Sequence, residues 1–131
     1  MLFAPQLACA SSGCPTRFTE FLAVFEQSVE FQTLNTRFPL RYSFLDGNAE
    51  PDPKLIKVVI TRANASKYPG IRYPSPALQA SVPLQHKLRS GVGGIQVVQF
   101  DKPESDVYSV GFSFLKVSGC WQLVEVEDSS L

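Results

Sequence analysis

Tyr108-Ser109-Val110-Gly111-Phe112-Ser113-Phe114 alternates large apolar side chains with small ones at every second position. That is the two-residue period of a strand with one face buried and the other open. The stretch lies within a strand-forming run over residues 107–117, and two further runs rich in β-branched and aromatic residues flank it, at 95–100 and 121–126. The chain is therefore expected to end in a three-strand antiparallel meander. Ser118-Gly119 supplies the last reversal, because glycine reaches positive φ without steric penalty. This turn sets Val117 opposite Cys120 and Lys116 opposite Trp121. Continued without interruption, the same register sets Glu125 opposite Phe112, on the face of Leu123.

Upstream, Pro15 suits the first turn of a helix, and Phe18, Phe21, Leu22, Phe25 and Val29 follow at spacings of three and four. Thr19, Glu20, Glu26, Gln27 and Glu30 fall mostly on the opposite side, so a long amphipathic helix is expected to lie on the Phe112 and Phe114 face. Pro39 holds Phe38 extended and ends any helical continuation over 31–37, which places a strand at 40–45. Asp46-Gly47-Asn48 and Pro51-Asp52-Pro53 read as turns. Residues 55–61 carry Ile56, Val58, Val59 and Ile60 and favour a strand, with a short helix after Pro53 as the alternative. Between 64 and 94, Pro69, Pro74, Pro76 and Pro83 alternate with Gly70, Gly91, Gly93 and Gly94. That region reads as irregular, with a helical turn expected at 84–88.

A chain of 131 residues, 44% of them hydrophobic, suits one domain with one core, here residues 11–131. Lys plus Arg and Asp plus Glu balance at 12 each, so no net field draws the domain to nucleic acid or an anionic membrane. No apolar run approaches the roughly 20 residues of a transmembrane helix. Residues 1–10 are apolar and uncharged and end in Ala8-Cys9-Ala10, resembling the tail of a secretory signal peptide. An ordinary terminus is the competing reading, and Gln6-Leu7-Ala8-Cys9 also approaches a lipid-attachment site. The expected location is periplasmic or secreted. If cleavage removes Cys9, Cys14 and Cys120 remain, a pair read as a disulfide in an oxidising compartment and otherwise as two buried thiols.

Three segments carry a likeness. They are the long first helix, Phe31-Gln32-Thr33-Leu34-Asn35-Thr36-Arg37-Phe38-Pro39-Leu40, and a closing Asp106-Val107-Tyr108-Ser109, Gly119-Cys120-Trp121-Gln122-Leu123-Val124 and Asp128-Ser129-Ser130. Over residues 15–130 the chain resembles an uncharacterised family of small exported bacterial proteins with a fold like nuclear transport factor two. The resemblance implies an α+β cone: a strongly curved antiparallel sheet wrapping a long amino-terminal helix, with a pocket between them. It implies no chemistry, because such domains host unrelated functions.

Two classes of site follow. An isomerase or lyase needs a carboxylate in an apolar pocket and a hydroxyl beside the developing oxyanion, roles for which Glu125 and Tyr108 are the candidates. Against this, a bulge or strand end would let Glu125 reach solvent. His86 is the single histidine and reads as a solvated loop residue. The cysteines lack metal-ligand spacing, and alternation splits Glu125, Glu127 and Asp128 across two faces, so neither metal nor cofactor is expected. A binding site needs less. Tyr68, Ile71, Arg72 and Tyr73, beside Pro74 and Pro76, place aromatic groups and one cation on a loop. The competing reading has Tyr68 and Tyr73 capping the open end of the cone as structure. The expected function is that of an exported, non-enzymatic binding protein recognising a protein or a small apolar ligand, with an immunity or accessory role beside a toxin or secretion system as one version. A homodimer through the sheet face would use Gln96, Val98, Phe100 and Val124.

Overall fold

The computed structural model describes residues 14–48, 50–103 and 108–130. The readings of residues 1–10, Cys9 and Val107 lie outside them.

Helix α1 (Phe18–Gln27) buries Phe21, Leu22 and Phe25 on one face. Helix α2 (Val29–Leu34) follows after a break at Ser28, whose backbone is extended (φ −131°, ψ 112°). Phe31 N–H donates to Ser28 Oγ at 3.1 Å, so the serine caps α2 instead of continuing α1. The expected long helix is thus two short ones separated at Ser28. Asn35 closes α2, its side-chain amide donating to the Phe31 carbonyl at 2.9 Å.

The chain enters strand β1 (Thr36–Asp46) immediately, four residues before the expected strand start. The other strands are β2 (Lys54–Ile60), β3 (Gln85–Ser90), β4 (Gln96–Asp101), β5 (Ser109–Val117) and β6 (Cys120–Asp128). They form one sheet in the order β2-β1-β6-β5-β4-β3. All neighbours run antiparallel except β1 and β6, which are parallel. Pro39 falls in the interval where the β1–β6 register shifts, and pairing with β2 begins only at Leu40. Its missing N–H therefore removes no ladder bond.

The meander β4–β5–β6 matches the expectation, including Val117 opposite Cys120 and Lys116 opposite Trp121. Ser118 (φ 50°) and Gly119 (φ 84°) both occupy the left-handed region, as a two-residue hairpin with right-twisted strands requires. The 84–88 segment is not a helical turn. It lies largely in edge strand β3, all six of whose residues are exposed. Six backbone partners on β4 hold it in place without any hydrophobic alternation. The helix of this region is instead α3 (Pro76–Ser81), where Leu78 N–H donates to the Ser75 hydroxyl at 3.1 Å and proline occupies the first turn.

One face of the sheet holds the core. Leu40, Val98, Phe100, Val110, Phe112, Phe114, Leu123 and Val126 pack there with Phe21 and Phe25 of α1. Two of the side chains expected to form a dimer contact belong to this core: Val98 and Phe100 are 0% and 1% exposed, and Val124 is buried as well. The large apolar side chains that the sheet does expose are Leu55, Val59 and Leu88. A disulfide joins Cys14 to Cys120 across 106 residues, with the two Cα atoms 5.5 Å apart. It fastens the segment ahead of α1 to the first residue of β6. Among the described residues, no helix is long and apolar enough to cross a membrane.

Candidate functional site

After β2, residues 64–73 form a strap of two short 3-10 turns, Ala65–Lys67 and Pro69–Ile71. Asn64 anchors its start, accepting Thr61 N–H at 2.8 Å through the side chain. Backbone bonds from Lys67 to Asn64, Tyr68 to Ala65, Ile71 to Tyr68 and Arg72 to Pro69 shape the rest. The strap lies directly on the Tyr42 side chain. A Cβ at Gly70 would collide with the Tyr42 hydroxyl, so this close approach requires glycine. Tyr68 in turn sets its ring edge-on to Tyr42, with centroids 6.1 Å apart.

Between this strap, the helices and the start of β1 lies a cavity of about 250 Å³. Phe25, Val29, Gln32 and Thr33 supply the helical wall, Thr36, Phe38 and Leu40 the strand wall, and Ala65, Ser66, Tyr68, Ile71, Arg72 and Tyr73 much of the strap wall. The polar residues of the helical wall, and Thr36 of the strand wall, donate to the backbone. Gln32 Nε2 donates to the Phe25 carbonyl at 2.7 Å, across the Ser28 break. Thr33 Oγ1 donates to the Val29 carbonyl at 3.1 Å and Thr36 Oγ1 to the Gln32 carbonyl at 2.7 Å. The helical and strand walls therefore present few unpaired donors and suit an apolar occupant.

All four predicted binding residues, Tyr68, Ile71, Arg72 and Tyr73, line this one cavity. Tyr73 is structural as well. Its ring lies 4.9 Å from that of Phe112, 5.1 Å from Phe100 and 5.4 Å from Phe25, and the residue is 6% exposed. The helical and strand walls were missed by sequence reasoning, although Val29, Gln32 and Thr33 carry the helical spacing of three and four that could have grouped them.

The Tyr73 hydroxyl is buried without a hydrogen-bond partner among the described residues. Burial pushes its pKa well above the usual phenol range, with smaller contributions from Glu26 and Tyr108. Tyr42 and Tyr108 shift the same way, burial first and the charge of Asp128 second. A raised folded-state pKa means that the unfolded chain ionises first. The stability tied to these phenols is complete below pH 10 and is lost as pH rises beyond it. Replacing Tyr73 with Phe removes an unpaired buried hydroxyl, so neutral-pH stability is expected to hold or to rise by about 1 kcal/mol. The alkaline loss should shrink. Urea unfolding at pH 7 and pH 11 checks both, and a loss above about 1 kcal/mol at pH 7 would reveal a partner for the hydroxyl.

Glu125 and Tyr108 do not come together. The β5–β6 ladder shifts register between Ser113 and Phe114, so that Leu123 faces Phe114 while Glu125 faces Ser113. Val124 is the extra residue, and Val126 rather than Glu125 stands opposite Phe112. Glu125 turns to the sheet face away from the core and meets Arg41 at 3.5 Å. A wider depression of about 600 Å³ lies there, with Arg41, Lys57, Glu125 and Glu127 on its walls. Tyr108 packs against the core, and the carboxylate whose charge acts on it is Asp128. His86 is exposed on β3 with its ring 5.6 Å from that of Phe100, on a strand instead of a loop. Among the described residues, no three His, Cys, Asp or Glu side chains gather as a metal site would require.

Neither a protein-family model nor a curated protein matches the sequence. Among solved structures, a nuclear transport factor two-like protein from Bacteroides fragilis NCTC 9343 superposes with a TM-score of 0.62 at 16% identity, over 87% of this chain and 47% of that one. Two further proteins so described, both of unknown function, come from Methylobacillus flagellatus KT and Shewanella baltica OS155. The first gives a TM-score of 0.45 at 11% identity over 97% of this chain and 94% of that one. The second gives 0.43 at 16% identity over 96% and 94%. The Bacteroides structure defines the class: this chain has the nuclear transport factor two-like α+β fold. It spans about half the length of that protein.

Proposed function

We propose that this protein is a non-enzymatic binding protein that takes a compact apolar ligand into the cavity under the strap. One observation carries the reading: aromatic and apolar residues of the strap, with Phe25 of α1, Val29 of α2 and Phe38 and Leu40 of β1, line one open space of about 250 Å³. An apolar cavity of about 150 Å³ already suffices to bind benzene. Little polar surface must be stripped of water to fill it, since Gln32, Thr33 and Thr36 already bond to backbone. The Cys14–Cys120 bridge fits an oxidising compartment, so a periplasmic or secreted setting belongs to the same proposal. The isomerase reading has less support, because its acid and its hydroxyl occupy different faces of the sheet.

The test is calorimetric titration with benzyl alcohol and 1-hexanol. Saturable one-to-one binding is expected. Ser66 lines the cavity from an exposed position, so Ser66→Phe should abolish binding while leaving the melting temperature within a few degrees. Absence of saturable binding, or binding indifferent to Ser66→Phe, would overturn the proposal.

A further inference from the structure

Among the described residues, Arg72 is the single charged one on the cavity wall, and no carboxylate shares that wall. A second guanidinium, that of Arg62, lies 4.7 Å over the ring of Phe38, itself a wall residue. Among the described residues neither arginine pairs with an acid, the ion pair found there being Arg41–Glu125. Neither donates a hydrogen bond to another described residue. The positive character is local, because the whole chain has a formal net charge of +0. An unpaired guanidinium beside a largely apolar space is the arrangement that holds a planar anion. Both arginines are solvent-exposed, and the fork of N–H donors matches both oxygens of a carboxylate.

We infer that the ligand is a short apolar monocarboxylate, its body in the cavity and its carboxylate on Arg72, with Arg62 adding attraction from beside Phe38. This inference rests on the binding role proposed for the same cavity. The volume suits a body of one ring or a short chain, since an apolar cavity of about 150 Å³ already holds benzene.

The experiment compares matched probes, benzoate with benzyl alcohol and hexanoate with 1-hexanol, by calorimetry at pH 7 and low salt on the full chain. Each carboxylate should bind at least tenfold more tightly than its alcohol. Arg72→Gln should bring the carboxylate down to the level of its alcohol measured in the same variant. Arg72→Lys, which keeps the charge and loses the fork, should retain part of the preference. Arg62→Gln should reduce it by a smaller factor. Equal binding of acid and alcohol, both blocked by Ser66→Phe, would overturn the anion inference and leave the cavity reading standing. A carboxylate preference that survives Arg72→Gln would remove Arg72 from its assigned role. If none of the four probes binds, the cavity reading falls and this inference falls with it.

Discussion

Replacing Cys14 and Cys120 together by serine should lower the unfolding free energy by about 2–5 kcal/mol. The bridge spans 106 residues of sequence, close to the 100-residue loop for which chain-entropy reasoning gives about 4.7 kcal/mol. It constrains nearly the whole chain in the unfolded state. Both cysteines are buried in the native core, so the substitution also places hydroxyls where sulfur packed. Asn35 Oδ1 lies 3.2 Å from Cys120 Sγ, a sulfur–oxygen contact only, since a bridged cysteine has no proton to donate. Urea unfolding of the double variant, and of the native protein with reductant, should show a lower midpoint. The slope should be steeper, because the released chain expands further when it unfolds. An unchanged midpoint would mean that the bridge is not part of the folded protein. A large fall would tie the stable protein to an oxidising compartment.

Phe114→Ala should cost about 3–5 kcal/mol, near the upper end for single core truncations. Phe114 is fully buried, and its ring meets those of Phe18, Phe21 and Phe25 edge-on with centroids 5.3, 5.7 and 5.1 Å away. It meets all three aromatic rings of α1, so its removal loosens both layers. Edge-to-face pairs add stabilisation beyond the area they bury, and the three are lost together. Lys116, two residues on, serves as the control. It is exposed, with Nζ 5.9 Å over the Trp121 ring, and its truncation should cost no more than about 0.5 kcal/mol. Similar losses at the two positions would mean that Phe114 is not the buried contact between β5 and α1.

The features legible in the sequence were those that repeat locally. Alternation in β5 and the Ser118-Gly119 turn fixed the meander, and the apolar spacing of α1 identified the partner of its buried face. The grouping of Tyr68, Ile71, Arg72 and Tyr73 on one loop was legible because they concentrate aromatic and charged groups among prolines and glycines. Three features left no such trace. Ser28 interrupts the helix without disturbing the apolar rhythm from Phe25 to Val29, so its cap is visible only as backbone geometry. The bulge at Val124 adds one residue to β6 and inverts every facing after it, which sent Glu125 outward and brought Asp128 to Tyr108 and Tyr42. Strand β3 has neither buried residue nor alternation, and its pairing with β4 is a long-range choice that local propensity does not encode.

The most direct measurement is a ¹⁵N–¹H correlation titration of the labelled protein with benzyl alcohol. The expected result is a saturable set of shift changes confined to the strap around Tyr68, Ile71, Arg72 and Tyr73 and to the facing Val29, Gln32 and Thr33, with β3 unmoved. Changes scattered over the sheet, or none at millimolar probe, would contradict the claim that the space under the strap is a binding site.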